Sequence, residues 1–283
     1  MPITVLTARD VELLTALDRC PLTAAQLVKL SQTFPLPFRA DRLRRRRMSK
    51  LEHIGLVRRA MYTALAGRGG TPNYYLLTPL GHRMLHGPDA RTPAKRFGHP
   101  LAPAGHYHTH ALAEVIVHLV VAARRAGVEM TGFCRENTVA LTDGQHTIYP
   151  DSAFQLLHPG GVRFSYFVEL DNSTERLVTD KDTDSWQRKI CIYESVRQSR
   201  PTRFRVLVVS TRSAERISHI LSLSKMLATN PRRTLFCGTV LPTFLATEDA
   251  LTQPVFRDHL GRETALISRT GAAGMSGELH ERS

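Results

Sequence analysis

The sequence is poor in the devices that staple small or secreted domains together. Its 283 residues include four cysteines, Cys20, Cys134, Cys191 and Cys237, far apart and without a CxxC pair. That spacing argues against cysteine-bound zinc or a disulfide scaffold, and it suits a reducing cytoplasm. No apolar run approaches a membrane span, and Met1 to Asp10 lacks the basic-then-apolar order of a secretory leader. A cytoplasmic protein with no membrane partner is therefore expected. There is no internal repeat, no P-loop and no dinucleotide-binding glycine motif, so the usual sequence grounds for a solenoid, a nucleoside triphosphatase or a nicotinamide enzyme are missing.

Positive charge is plentiful, and it is unevenly placed. The chain carries a formal +13. Residues 1 to 96 hold 17 Lys and Arg against 6 Asp and Glu, whereas the remainder holds 21 against 19. A basic block of this kind favours a polyanionic partner.

The block has a readable architecture. Thr7-Ala-Arg-Asp10 caps a helix with Val11, Leu13, Leu14 and Leu17 as its stripe. Pro21-Leu22-Thr23 interrupts the chain and caps a second helix, Ala24 to Ser31. A third is expected from about Ala40 to His53, with Leu43, Met48, Leu51 and Ile54 on its buried side. The strand Asn73 to Leu77 follows a glycine turn, Gly67-Arg-Gly-Gly70, and Thr78-Pro79 opens a fourth helix. Three helices, a Gly-tipped hairpin and a closing helix predict a winged helix-turn-helix over 1–87, a fold that places its third helix in the major groove. Double-stranded DNA is then the expected partner. Its candidate contacts are Arg42, Arg44, Arg45, Arg46, Arg47 and Lys50 on the third helix, with Arg68 at the wing tip. Consecutive residues wrap around a helix, so most of these would meet phosphate rather than bases.

Residues 88–105, rich in Pro, Gly and Ala, read as a linker. A second, α/β domain is expected over 106–265, and the tail 266–283 reads as disordered. Its first helix, about His108 to Ala126, carries Glu114. Short strands are expected at 131–133, 138–141 and 147–157, a buried strand at Phe204 to Ser210, a helix at Ser213 to Ala228 and a strand at Leu235 to Val240. Thr247 to Leu251 reads as a short capped helix. The triplet His106-Tyr-His108-Thr-His110 is similar to the metal site of HUH relaxases. Those enzymes carry it on a central strand, whereas here it abuts a helix start, which favours helix-entry histidines.

The richest stretch is Pro150 to Tyr193. Asp151 opens a strand, Ser152 to Leu157, and Pro159-Gly160-Gly161 turns it into a second, Arg163 to Asp171. Side chains alternate along a strand, so Glu169 and Asp171 share a face, and the hairpin would bring Asp151 beside them. Three carboxylates at one strand end suit a hard divalent cation; solvated acids on an edge strand are the plainer alternative. On the helix from about Thr183 to Ser199, Lys189 lies within the apolar arc of Trp186, Ile190, Tyr193 and Val196. A lysine turned inward needs a carboxylate partner.

Pro150-Asp151, the segment Glu169-Leu-Asp171-Asn-Ser-Thr174-Glu175, and Lys189 with Tyr193 resemble the replication-relaxation family over roughly residues 5 to 260. These are bacterial proteins linked to plasmid replication and plasmid DNA relaxation. The same arrangement resembles the PD-(D/E)XK nuclease core, with an acid on the first helix, Asp on one strand and Glu-x-Lys on the next. Here Asp171 stands in the Lys position, and Lys189 would be that lysine moved to the following helix. The resemblance implies an N-terminal winged helix-turn-helix followed by a PD-(D/E)XK nuclease-like domain, and a DNA-binding protein that is, if active, a Mg²⁺-dependent endonuclease or nickase. Asp151, Glu169 and Glu114 would hold the metal, and Asp151, Glu169, Lys189 and Asp171 would form the catalytic set. A homodimer and plasmid replication or transfer proteins are further partners that such a role admits. Two alternatives stay open: a non-catalytic replication or transfer accessory factor, and a winged-helix transcriptional regulator.

Overall fold

The computed structural model describes residues 6–65, 70–93, 97–178, 185–199 and 203–267. Arg68, most of the glycine turn around it, Thr183 and the tail from Ser268 lie outside the described residues. The chain is mixed α/β and divides into two compact units, Met1–Val121 and Ala122–Ser283. The division falls within a helix, whereas the sequence suggests a linker at 88–105.

In the first unit, α1 (Ala8–Arg19) and α2 (Ala24–Leu30) each begin with a capping box. Thr7 and Asp10 close the first, Thr23 and Gln26 the second, and each pair satisfies two N–H groups that a helix start leaves orphaned. Between them β1 (Leu22–Thr23) pairs with β3 (Asn73–Leu77), which also pairs with β2 (Val57–Met61), all antiparallel. The third helix, α3 (Asp41–His53), precedes that hairpin, and α4 (Pro79–His86) follows it. Leu13, Leu14, Leu17, Leu27, Met48 and Leu51 are buried, as helical periodicity requires. Gly81 admits α4 against the preceding segment, because a Cβ there would collide with the Leu56 carbonyl oxygen. The unit ends in most of α5 (His106–Arg125), which starts two residues before the predicted position.

In the second unit the described residues form a seven-stranded sheet. The strands β4 (Glu129–Cys134), β7 (Ser152–Leu157) and β8 (Arg163–Asp171) form an antiparallel meander. The small ribbon β5 (Leu141–Thr142) and β6 (Thr147–Ile148) stands apart from it. Sequence periodicity suggests one strand over 147–157. Pro150 breaks it, since proline cannot donate to a ladder.

After β8 the connections become parallel crossovers. Helix α6 (Trp186–Ser199) leads to β9 (Phe204–Ser210), parallel to β8, and α7 (Ala214–Leu227) leads to β10 (Phe236–Val240), parallel to β9. Phe167, Val206, Val208 and Phe236 of the sheet pack with Trp186, Ile190 and Tyr193 of α6 and with Ile217 and Ile220 of α7 in one core. The chain closes with α8 (Leu241–Ala246), β11 (Phe256–Asp258) and β12 (Glu263–Thr264). The helix expected at 247–251 is a turn. The helix forms earlier, where Pro242 starts it and Phe244 is fully buried.

Candidate functional site

The β7–β8 register pairs Ser152 with Val168, so Asp151 stands across from Glu169. The Asp151 backbone N–H donates to the Val168 carbonyl at 3.1 Å, and its side-chain Oδ2 accepts from the Leu170 N–H at 2.6 Å. Glu169 and Asp171 share one face of β8, as alternation predicts, and both are buried.

On α6, Trp186, Lys189 and Tyr193 recur at helical spacing and meet that face. Lys189 donates from Nζ to Glu169 Oε2 at 2.8 Å and to Glu175 Oε1 at 2.7 Å, and its ammonium lies 5.4 Å from the Trp186 ring centre. The Tyr193 hydroxyl donates to Glu169 Oε1 at 2.6 Å. Asp151, Glu169, Lys189, Glu175 and Tyr193 therefore form one cluster.

Burial pushes Glu169 up to about 7; Lys189 and Tyr193 oppose that rise, while nearby Asp151 adds to it. Burial alone would lower Lys189, but the two glutamates outweigh it and hold the ammonium protonated. The acid is thus disfavoured as an anion while its partner is favoured as a cation, and the geometry reconciles the two. One cation is shared by two glutamates with a third acid close by, so its charge is strongly favoured and that of the most buried acid is not. Glu175 Oε2 is buried and has no hydrogen-bond partner among the described residues. Carboxylate oxygens are what a hard divalent cation takes, but Asp151, Glu169 and Glu175 do not bring three ligand atoms within 4.8 Å of one another, so side chains would have to move to close on an ion.

Asp171 is differently occupied. Its carboxylate accepts from Trp186 Nε1 at 3.0 Å, from Ser210 Oγ at 3.3 Å, and from the Arg216 guanidinium at both oxygens. Arg216 also donates to the Glu175 carbonyl at 2.6 Å, which fixes the loop that carries Glu175. That loop caps α6 in turn, because the Trp186 and Gln187 N–H groups donate to the Arg176 and Leu177 carbonyls. Glu114 belongs to the first unit, where its Oε1 accepts from Gln26 Nε2 at 2.8 Å.

The sequence marks Glu175 and Tyr193 only as residues that carry the family resemblance, with no place in the site, and does not mark Arg216. Tyr193 lies one turn from Lys189 on the same helical face, a signal that could have found it. Arg216, on a helix two elements later, left no local trace.

The arginine run divides by helical face. Arg42, Arg46 and Lys50, each four residues apart, are exposed on one side of α3, with exposed Arg45 beside them and paired with Asp41 at 2.9 Å. Arg44, a predicted DNA contact, is instead 4% exposed and paired with Asp41 at 2.6 Å. Arg47 turns toward buried Asp10, with Nε 3.4 Å from Oδ1. The histidine triplet lies on α5, not on a strand. His106 accepts from the Ala64 N–H at 3.2 Å, its other ring nitrogen faces the Leu101 carbonyl at 3.2 Å, and its edge meets Tyr62. His110 also meets Tyr62 edge-on, and burial lowers its pKa.

The molecule is thus a mixed α/β protein with a basic helical unit and a sheet unit whose strand pair carries a buried carboxylate–lysine cluster. A family model described as replication-relaxation matches residues 16–205, more than half of the chain, and the chain belongs to that family. The match includes the acid cluster and Lys189 and stops before Arg216. Membership supports a role in replication and relaxation. Neither the curated proteins nor the solved structures yield a match. Among the described residues, no helix is long and apolar enough to cross a membrane.

Proposed function

We propose that the chain is a DNA-binding protein of plasmid or mobile-element replication, in which a winged helix-turn-helix engages duplex DNA and a PD-(D/E)XK-like unit nicks or cleaves it with Mg²⁺. The observation that carries this reading is the convergence of Asp151, Glu169 and Lys189, with Glu175 sharing the same ammonium. The order of helix, three-stranded meander, helix and parallel strand supports a nuclease-like core. The exposed Arg42, Arg45, Arg46 and Lys50 on the helix before the hairpin support the DNA reading.

In this reading Asp151 and Glu169 hold the metal, and Glu175 supplies a further oxygen. Bound there, Mg²⁺ supplies Lewis-acid polarisation of a phosphoryl oxygen and a more acidic water. Lys189, already charged and aimed into the cluster, donates to a non-bridging phosphate oxygen as negative charge develops. Tyr193 fixes the Glu169 carboxylate. Asp171 takes the role of a tether, holding α6 and α7 to the end of β8 through Trp186 and Arg216. Glu114 is left out because Gln26 occupies it.

A supercoiled-plasmid assay tests the proposal. Wild-type protein should nick only with Mg²⁺, and Asp151→Asn should abolish nicking without loss of fold. A second reading, a non-catalytic accessory factor, draws on the fact that both Glu169 oxygens are already engaged by Lys189 and Tyr193. DNA binding without any nicking would select it.

A further inference from the structure

We propose that Asp18, His82 and His86 form a second, separate metal site in the first unit, of the zinc class, tying α1 to α4. His82 Nδ1 lies 3.1 Å from Asp18 Oδ1, and His86 Nε2 lies 3.0 Å from Asp18 Oδ2. One ligand atom from each residue lies within 4.8 Å of the others. Tetrahedral zinc with bonds of about 2.1 Å separates its ligands by about 3.4 Å, so an ion enters with small side-chain adjustments. The two histidines are four apart on α4, which places their rings on one face, with centres 4.4 Å apart.

The hydrogen-bond pattern of His82 is the independent evidence. Its Nε2 faces the Arg91 carbonyl oxygen at 3.2 Å, and a carbonyl can only accept. Nε2 therefore carries the ring proton. In a neutral imidazole, Nδ1 then presents a lone pair to a carboxylate oxygen that also only accepts. A cation shared by Nδ1 and the carboxylate removes the conflict. Metal-bound histidines characteristically give their other N–H to a carbonyl or carboxylate, which fixes the tautomer and aims the ring.

Burial also suits the assignment. His82 is 7% exposed and the Phe97 ring meets it edge-on, whereas His86 is half exposed and leaves a route in and room for water as a fourth ligand. Two imidazoles and one carboxylate select Zn²⁺ or a neighbouring transition ion over Mg²⁺. The site needs no cysteine, so the absence of a CxxC pair does not bear on it. It would staple a unit in which no disulfide is formed among the described cysteines.

The test uses tag-free, full-length protein stripped with a chelator and titrated with Zn²⁺ alone, followed by calorimetry and thermal unfolding. One equivalent should bind and raise the melting temperature, and Mg²⁺ should not compete. His86→Ala and Asp18→Asn should each weaken zinc at least about tenfold, with the circular dichroism spectrum unchanged. Because His86 is half exposed, its variant should fold; if it does not, Asp18→Asn decides. Zinc binding that persists in Asp18→Asn would place the ion elsewhere and overturn the proposal. So would a wild type that ignores zinc.

Discussion

Arg216 closes on both oxygens of Asp171, with Nη2 3.0 Å from Oδ1 and Nε 3.1 Å from Oδ2. Asp171 is therefore spent on holding the structure, although the resemblance to a nuclease core would put a lysine at its position. The pair is nearly buried, and removing one partner strands the other. Arg216→Ala should cost roughly 3–5 kcal/mol in unfolding free energy, measured by denaturant titration. Arg216→Lys should recover little, because an ammonium cannot reproduce the two-point grip. Full rescue by lysine would show that charge alone matters.

Lys189 should be more sensitive to context. Lys189→Ala leaves Glu169 and Glu175 without their cation and should destabilise the metal-free protein by about 3–5 kcal/mol. Mg²⁺ should restore part of that loss, since an ion bound only by the folded state raises its stability. Thermal unfolding with and without Mg²⁺ reads both effects.

Glu169 gives the second unit a pH signature. Its pKa rises from 4.5 in the unfolded reference to about 7 on folding, mainly through burial. The folded state thus binds this proton more tightly. The group favours folding at pH below 4.5, and that contribution is lost as the pH climbs through 7. At 1.36 kcal/mol per unit the loss is on the order of 3 kcal/mol. Unfolding free energy measured from pH 4.5 to 7.5 should show this fall, and Glu169→Gln should flatten it. An unchanged slope in that variant would assign the effect to another group.

DNA affinity should separate the two faces of α3. Replacing Arg42, Arg46 and Lys50 with Ala should weaken duplex binding and reduce the salt slope by about 0.9 for each phosphate no longer neutralised. Arg44→Ala should lower stability with little change in that slope, because its guanidinium is buried on Asp41. Fluorescence anisotropy over a salt series, run beside thermal unfolding, distinguishes them.

Much of this was legible in local sequence. The alternation of Arg163 to Asp171, closed by Pro159-Gly160-Gly161, sets a hairpin register that places Asp151 opposite Glu169. The inward lysine follows from the arc of Trp186, Ile190 and Tyr193. The split of the arginines is implicit in the helical period, since Arg44, Met48 and Leu51 fall on one side. What escaped were contacts between distant segments. Nothing near Glu114 announces Gln26, and nothing near Asp171 announces Arg216. The capping signature at Thr247 lost to a stronger local start at Pro242 backed by burial of Phe244.

The central claim is that the cluster around Lys189 takes a divalent ion, and calorimetric titration of Mg²⁺ into full-length protein tests it most directly. Wild type should bind a Mg²⁺ ion at the cluster, Asp151→Asn should lose that ion while keeping its fold, and His86→Ala should bind it as wild type does. Equal binding by wild type and Asp151→Asn, or none by wild type at neutral pH, would contradict the account.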